Sequence, residues 1–150
     1  MSCILRVLGD NLDVKSLAKK LSIKPYDIYI KGQPMFKAKP EGKKIQVTGM
    51  SFCTSNADFD KLDKQIKDTI KYLTKNKVEL KKVTTNKNVT FSTLDFGIEL
   101  RMGYNNIALQ SDYFPHELLK LAADLKIDLG ISLYYPDLEE KMIEYVAKKK

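Results

Sequence analysis

The chain has 150 residues, of which 43% are hydrophobic and 30% charged, with a formal net charge of +7. A chain of this length can bury a core without disulfides or metal, and its balance is that of a soluble globular protein. Its apolar runs fall short of the ~18 residues that a membrane-spanning helix needs, and the opening MSCILRVLGD lacks the basic lead-in and long apolar stretch of a signal peptide.

Cys3 to Val7 reads as a first strand, broken by Gly9-Asp10-Asn11. Asp13 has the side chain to accept from a backbone N–H two or three residues on, so it is an expected N-cap. Val14, Leu17, Ala18 and Leu21 give a short helix, and Pro25 stops the chain from continuing it. Tyr26–Ile30 is expected to be a second strand, Lys31-Gly32-Gln33-Pro34 a turn, and Ile45–Phe52 a third strand. Ser55, with Asp58 three residues on, is spaced like a capping box for a long helix. Phe59, Leu62, Ile66, Ile70 and Leu73 form its apolar stripe at three- and four-residue steps.

Val78, Leu80 and Val83 suggest a further short helix. Val89–Phe91 and Phe96–Met102 read as one strand interrupted around Asp95, and Gly103–Asn106 as a hairpin-like turn into a short strand at Ile107-Ala108-Leu109. Pro115 suits a first helical residue, because its missing N–H is not needed there. Leu118, Leu121, Ala122 and Leu125 follow on one helical face. After Lys126 the period changes to two, with Ile127, Leu129, Ile131 and Leu133 alternating with Asp128, Gly130, Ser132 and Tyr134. Asp137 and Glu140 are spaced to cap an amphipathic terminal helix carrying Leu138, Met142, Tyr145 and Val146.

The segment Leu17–Lys24 is similar to Leu121–Asp128, which suggests two similar strand–helix units in one sheet. The fold class expected is therefore α+β: a two-layer sandwich with a mainly antiparallel, mixed sheet of about five or six strands under packed helices. One domain over 1–150 is expected, closed by a short C-terminal helix.

Residues 5–25, LRVLGDNLDVKSLAKKLSIKP, the Lys31–Pro34 turn, the long helix from Phe59 to Leu73 and the closing Leu118–Tyr135 together resemble a bacterial family of unknown activity, catalogued as domain of unknown function 4279. The resemblance covers about residues 3–136 and leaves 137–150 as a helical extension. That family often carries a Trp in the strand before the long helix. Here Val47 or Phe52 stands in that region, and the chain has no Trp. The resemblance implies a fold and no catalytic residue.

The residues themselves point away from chemistry. His116 is the only histidine and falls in the first turn of a helix, as an exposed residue would. One histidine and two separated cysteines do not make a common zinc site, and no phosphate-binding glycine motif is present. Cys3 and Cys53 are expected to be buried, reduced thiols of a cytoplasmic protein. No catalytic, metal or cofactor site is expected.

Two surfaces remain as candidate partner contacts. One is the loop of Lys31, Gln33, Met35 and Phe36, where apolar side chains stand in a polar setting. The other is the outer face of the long helix with Lys61, Lys64, Lys71 and Lys75, a run that is more often a solvated face. Only two of the 26 basic residues, Arg6 and Arg101, are arginines, so the positive charge is mostly point charge without planar, bidentate reach. A non-catalytic protein-interaction module is therefore expected, an immunity or antidote protein acting by binding being one form. Its partner would be another protein, acidic in character, and nucleic acid would bind weakly and non-specifically. A nucleic-acid binder using the lysine face and a small-molecule sensor are the alternatives.

Overall fold

The structure, a computed structural model, describes residues 2–103 and 107–135. Among these residues, five strands form one open, mixed sheet with four helices. In chain order they are β1 (Cys3–Leu8), α1 (Val14–Lys20), β2 (Asp27–Tyr29), β3 (Gly49–Ser55), α2 (Leu62–Lys75), α3 (Lys77–Thr84), β4 (Phe91–Glu99), α4 (His116–Asp124) and β5 (Asp128–Tyr134). The order across the sheet is β2-β3-β1-β4-β5. All neighbours are antiparallel except β4 and β5, which run parallel because α4 carries the chain back between them.

The alternation of β1 assigns the two faces. Cys3, Leu5 and Val7 are fully buried, while Ile4, Arg6 and Leu8 are half-buried. Register places Phe52 and Leu94 beside Leu5, with Phe96 and Ile98 further along the same face. These side chains meet Leu62, Ile66 and Leu73 of α2, Leu80 and Val83 of α3, and Leu118 and Ala122 of α4 in one core. Asp13 caps α1 as its position requires, its Oδ1 accepting from the Ser16 N–H at 3.0 Å. Val78, Leu80 and Val83 do lie on a helix, α3.

Several local expectations change. The third strand begins at Gly49 rather than Ile45, because Ile45 is hydrogen-bonded elsewhere: its N–H donates to Gln33 at 2.8 Å and its carbonyl accepts from Gly32 at 2.9 Å. Ser55 does not cap α2. It ends β3, accepts from the Ala57 N–H and donates to Asp68, and the helix starts only at Leu62. Phe59 leaves the helical stripe and turns onto the other face of the sheet, stacked on Tyr134 at a centroid distance of 4.5 Å. Gly97 makes room for it, since a Cβ there would lie 2.7 Å from the Phe59 ring. Gln65 and Thr69 are fully buried on α2.

β4 is continuous through Asp95. Arg6 of β1 neutralises that carboxylate at 2.6 Å, and Ser132 of β5 donates to it at 2.7 Å. Ile107–Leu109 is not a strand, and Leu109 is 76% exposed. Pro115 is the N-cap of α4 rather than its first residue. The Tyr104–Asn106 turn and the terminal helix after Pro136 fall outside the described residues.

Ile66 is 6% exposed, whereas Lys67 beside it faces solvent. An unpaired carboxylate at Ile66 would be buried, so Ile66→Asp is expected to cost more than about 4 kcal/mol and unfold the protein. Lys67→Asp should stay within about 1 kcal/mol. Thermal melts of the two variants check the orientation of α2.

Candidate functional site

The sheet edge at β2 carries the first candidate surface. β2 has only three residues, because Pro25 precedes it and the turn at Lys31 follows closely. Tyr26 N–H donates to the Ser51 carbonyl at 2.7 Å, and the Tyr29 hydroxyl donates to Ser51 Oγ at 3.0 Å, fixing the strand on β3. Gly32 adopts φ 85°, a turn geometry that glycine takes without a Cβ clash. Beyond it the chain folds into an arm: Met35 N–H donates to Lys43 at 2.8 Å, and Pro34 bridges Lys44.

Between this arm and β2 lies a cleft of ≈ 720 Å³. Leu8, Ile28, Met35, Ile45 and Val47 give it apolar walls, with Gln33, Lys37 and Lys43 among its polar lining. Its apolar groups are open to water: Ile28 is 36% and Met35 45% exposed. Phe36, at 61%, projects from the arm and does not line the cleft. Lys31 is held beside the arm by Asp10 at 2.9 Å.

The second candidate surface is divided. Lys61 pairs with Asp60 at 2.7 Å, and that hydrogen bond raises the Lys61 pKa above its ordinary value. Lys64 reaches Asp68 at 3.4 Å. Both line a cleft of ≈ 550 Å³ whose other walls include Asp63, Arg101 and Asp112. Arg101 is itself bound to Asp112 at 2.6 Å. Lys71 and Lys75 line a different cleft of ≈ 440 Å³ with Ile23 and Tyr72. These two lysines make no ion pair among the described residues. The basic run is therefore broken up by carboxylates at its first half and, among the described residues, makes no ion pair at its second.

Residues missed by sequence reasoning include Gln110 and Asp112. Gln110 accepts from the Arg101 N–H at 2.8 Å and donates to Asp112 at 2.8 Å, holding the segment before α4 against the end of β4. Their only signal was a polar pair between an apolar run and a helix start.

His116 is exposed, in the first turn of α4. Cys3 and Cys53 are both free, and register places them on opposite faces of the sheet, since Cys53 lies opposite Ile4. Cys53 is half-buried rather than buried. Burial pushes the Cys3 thiol up to about 12, against weaker hydrogen bonding from Thr54 and Thr69 that favours the thiolate. It is an inert core group.

A family model described as Domain of unknown function (DUF4279) matches residues 1–136. The chain belongs to this family. Comparison with curated proteins and with solved structures returns no match. In this DUF4279 member the match runs through all five strands and four helices. No helix of the described residues is long and apolar enough to cross a membrane. Among the described residues, no group of three or more His, Cys, Asp or Glu side chains is placed to hold a metal ion.

The Cys3 shift has a consequence for stability. A folded-state pKa raised above the ordinary 9.0 means that the unfolded chain loses this proton first as pH rises. The contribution is full below pH 9 and declines above it, by about 1.4 kcal/mol per pH unit until the folded thiol titrates. Denaturant titrations from pH 8 to 10.5 should show a steeper alkaline loss for the native chain than for Cys3→Ala.

Proposed function

We propose that this protein is a non-catalytic protein-interaction module whose contact surface is the cleft beside β2. The observation that carries the reading is the pairing of a formed apolar cleft with solvent-exposed Met35 and Phe36 on the arm that walls it. Exposed apolar groups clustered within a polar rim are characteristic of contact surfaces. Lys37 and Lys43 in the lining, with Lys39 and Lys44 on the same arm, favour a partner segment with an apolar anchor and acidic flanks. Met is suited to such a wall, because its unbranched side chain repacks around different anchors. An immunity or antidote protein, which acts by occupying its target, is one form of this module.

A small-molecule reading has one observation in its favour: the cleft volume falls in the range of about 300–1,000 Å³ usual for ligand pockets. The nucleic-acid reading rests on Lys71 and Lys75, with Lys61 and Lys64 already engaged by carboxylates.

An array of short peptides with an apolar residue between acidic residues tests the proposal. Met35→Lys should weaken the best binder at least about tenfold, ~1.4 kcal/mol, and Lys71→Gln with Lys75→Gln should leave it unchanged. His116→Ala should also leave it unchanged. Single-stranded RNA and duplex DNA should bind weakly and be released at about 0.15 M salt. Submicromolar nucleic-acid binding at that salt, with a log–log salt slope of about −3.5 to −4.5 from five phosphate contacts and lost on changing Lys61, Lys64, Lys71, Lys75 and Lys81 to glutamine, would instead establish the nucleic-acid reading.

A further inference from the structure

Among the described residues, β5 is an edge strand without the usual protections. It has seven residues, Asp128–Tyr134, with no lysine, no proline and no bulge, and its one charge, Asp128, stands at its start. Natural edge strands are normally short, charged, bulged or covered, because their free backbone groups recruit another strand. β2, at the other edge, follows that rule with three residues and Asp27.

The backbone direction of β5 is fixed by one hydrogen bond. The Tyr134 carbonyl accepts from Leu100 N–H at 2.7 Å, so Tyr134 turns its backbone groups toward β4. Alternation then directs those of Ser132, Gly130 and Asp128 the same way, and those of Leu133, Ile131 and Leu129 outward. Among the described residues, nothing hydrogen-bonds to these outward groups. The same three residues carry the apolar side chains. Register sets Leu129, Ile131 and Leu133 beside Leu94, Phe96 and Ile98, which are fully buried on the helix-covered face. Yet Ile131 is 53% and Leu133 56% exposed. Among the described residues, the core layer thus continues to the sheet edge and has no element over its last two side chains, Ile131 and Leu133.

We propose that β5 pairs antiparallel with β5 of a second copy of this chain, about a two-fold axis through Ile131. The sequence of the strand is palindromic about that residue in the sense this requires: Leu-Gly-Ile-Ser-Leu. Ile131 falls opposite the partner's Ile131, and Leu129 opposite the partner's Leu133. These are the residues whose N–H and C=O groups point outward, so each of the three pairs exchanges two backbone hydrogen bonds. The three apolar pairs share one face and extend both cores across the axis. Asp128 falls opposite the partner's Tyr134, so no charge meets its like. A slip of one residue would set leucine against serine and reverse the faces. A slip of two would leave one leucine of each strand outside the apolar ladder. The two-fold operation also closes the assembly, because it consumes the edge it uses. This contact lies across the sheet from the β2 cleft and does not depend on the function proposed for that cleft.

Sedimentation of the full chain over a range of concentrations tests the proposal. The expected species is a dimer of twice the 17.2 kDa chain mass, strengthened by added salt because two +7 chains repel. Ile131→Lys sets like charges on the axis and should give a monomer with native circular dichroism. A cysteine version holds if that variant is poorly folded. In a Cys53→Ser background, Ile131→Cys should oxidise to a covalent dimer, whereas Leu133→Cys alone should not, since it faces Leu129. A chain that stays monomeric up to about 1 mM, the weak end of the affinity scale, would overturn the proposal. So would open-ended aggregates, a dimer that folded Ile131→Lys leaves intact, or covalent dimers formed equally well through Leu133→Cys.

Discussion

The N-terminal strand must satisfy its backbone on both sides, and the rest of the structure is arranged by that requirement. β1 sits at the middle of the sheet, so its donors and acceptors have to be met by β3 on one edge and β4 on the other. Neither neighbour is adjacent to it in the chain. Residues 9–48 must therefore loop out and return, and residues 56–90 must cross the sheet before β4 can dock. The short β2 and the parallel β5 then have only the outer positions left. The alternation within β1 settles the rest: with Cys3, Leu5 and Val7 on one face, the helices must cover that face, because it holds the fully buried side chains.

A few polar groups make the helical layer specific. Gln65 is fully buried in α2, and its amide donates to the Gly97 carbonyl at 2.8 Å and the Asp58 carbonyl at 3.0 Å. One side chain thus ties the helix to β4 and to the turn that precedes the helix. Thr54 and Thr69 hydroxyls meet at 2.9 Å between β3 and the same helix. A buried polar group without a partner costs free energy, so these contacts reject rotations of α2 that an apolar stripe alone would tolerate. On the other face, Arg6, Asp95 and Ser132 join β1, β4 and β5 in one chain of charge-assisted bonds.

These polar positions also explain what was legible in the sequence. Apolar period two found β1 and β5, and apolar period three-to-four found α1, α2 and α4, because burial of one face leaves that trace directly. The break expected at Asp95 came from reading a charge as a strand interruption. The pattern of Thr93, Asp95, Gly97 and Glu99 against Leu94, Phe96 and Ile98 runs straight through it, and the missing knowledge was the partner, Arg6, 89 residues away. Ser55 carried a helix-cap motif, but the motif does not say that the next residues must first bring Phe59 around to Gly97. Ile45 has the residue type of a strand and lies in the arm instead, because its hydrogen bonds are to Gly32 and Gln33. Of the candidate site, Gln33 and Met35 were visible as a polar–apolar anomaly in a loop. The cleft they line was not, since Leu8 arrives from β1 and Val47 from the segment before β3.

The two edges of the sheet show how one constraint yields two kinds of surface. At β2 the strand is cut short by Pro25 and by the Gly32 turn, so little backbone is left unpaired. What is exposed there is side chain: Ile28 and Met35 over a cleft. At β5 the reverse holds. The strand is seven residues long, and among the described residues the backbone of Leu129, Ile131 and Leu133 is unpaired on its outer side, with the side chains of Ile131 and Leu133 exposed. A cleft selects by the shape and charge of what enters it. An open strand selects by register, and register is discriminating only when the side-chain pattern penalises a slip. The Leu129–Ile131–Leu133 pattern carries that penalty, and Gly130 and Ser132 between them keep the opposite face low enough for Asp95 to reach Ser132. The same alternation that buries the centre of the sheet therefore also fixes what its edge can accept.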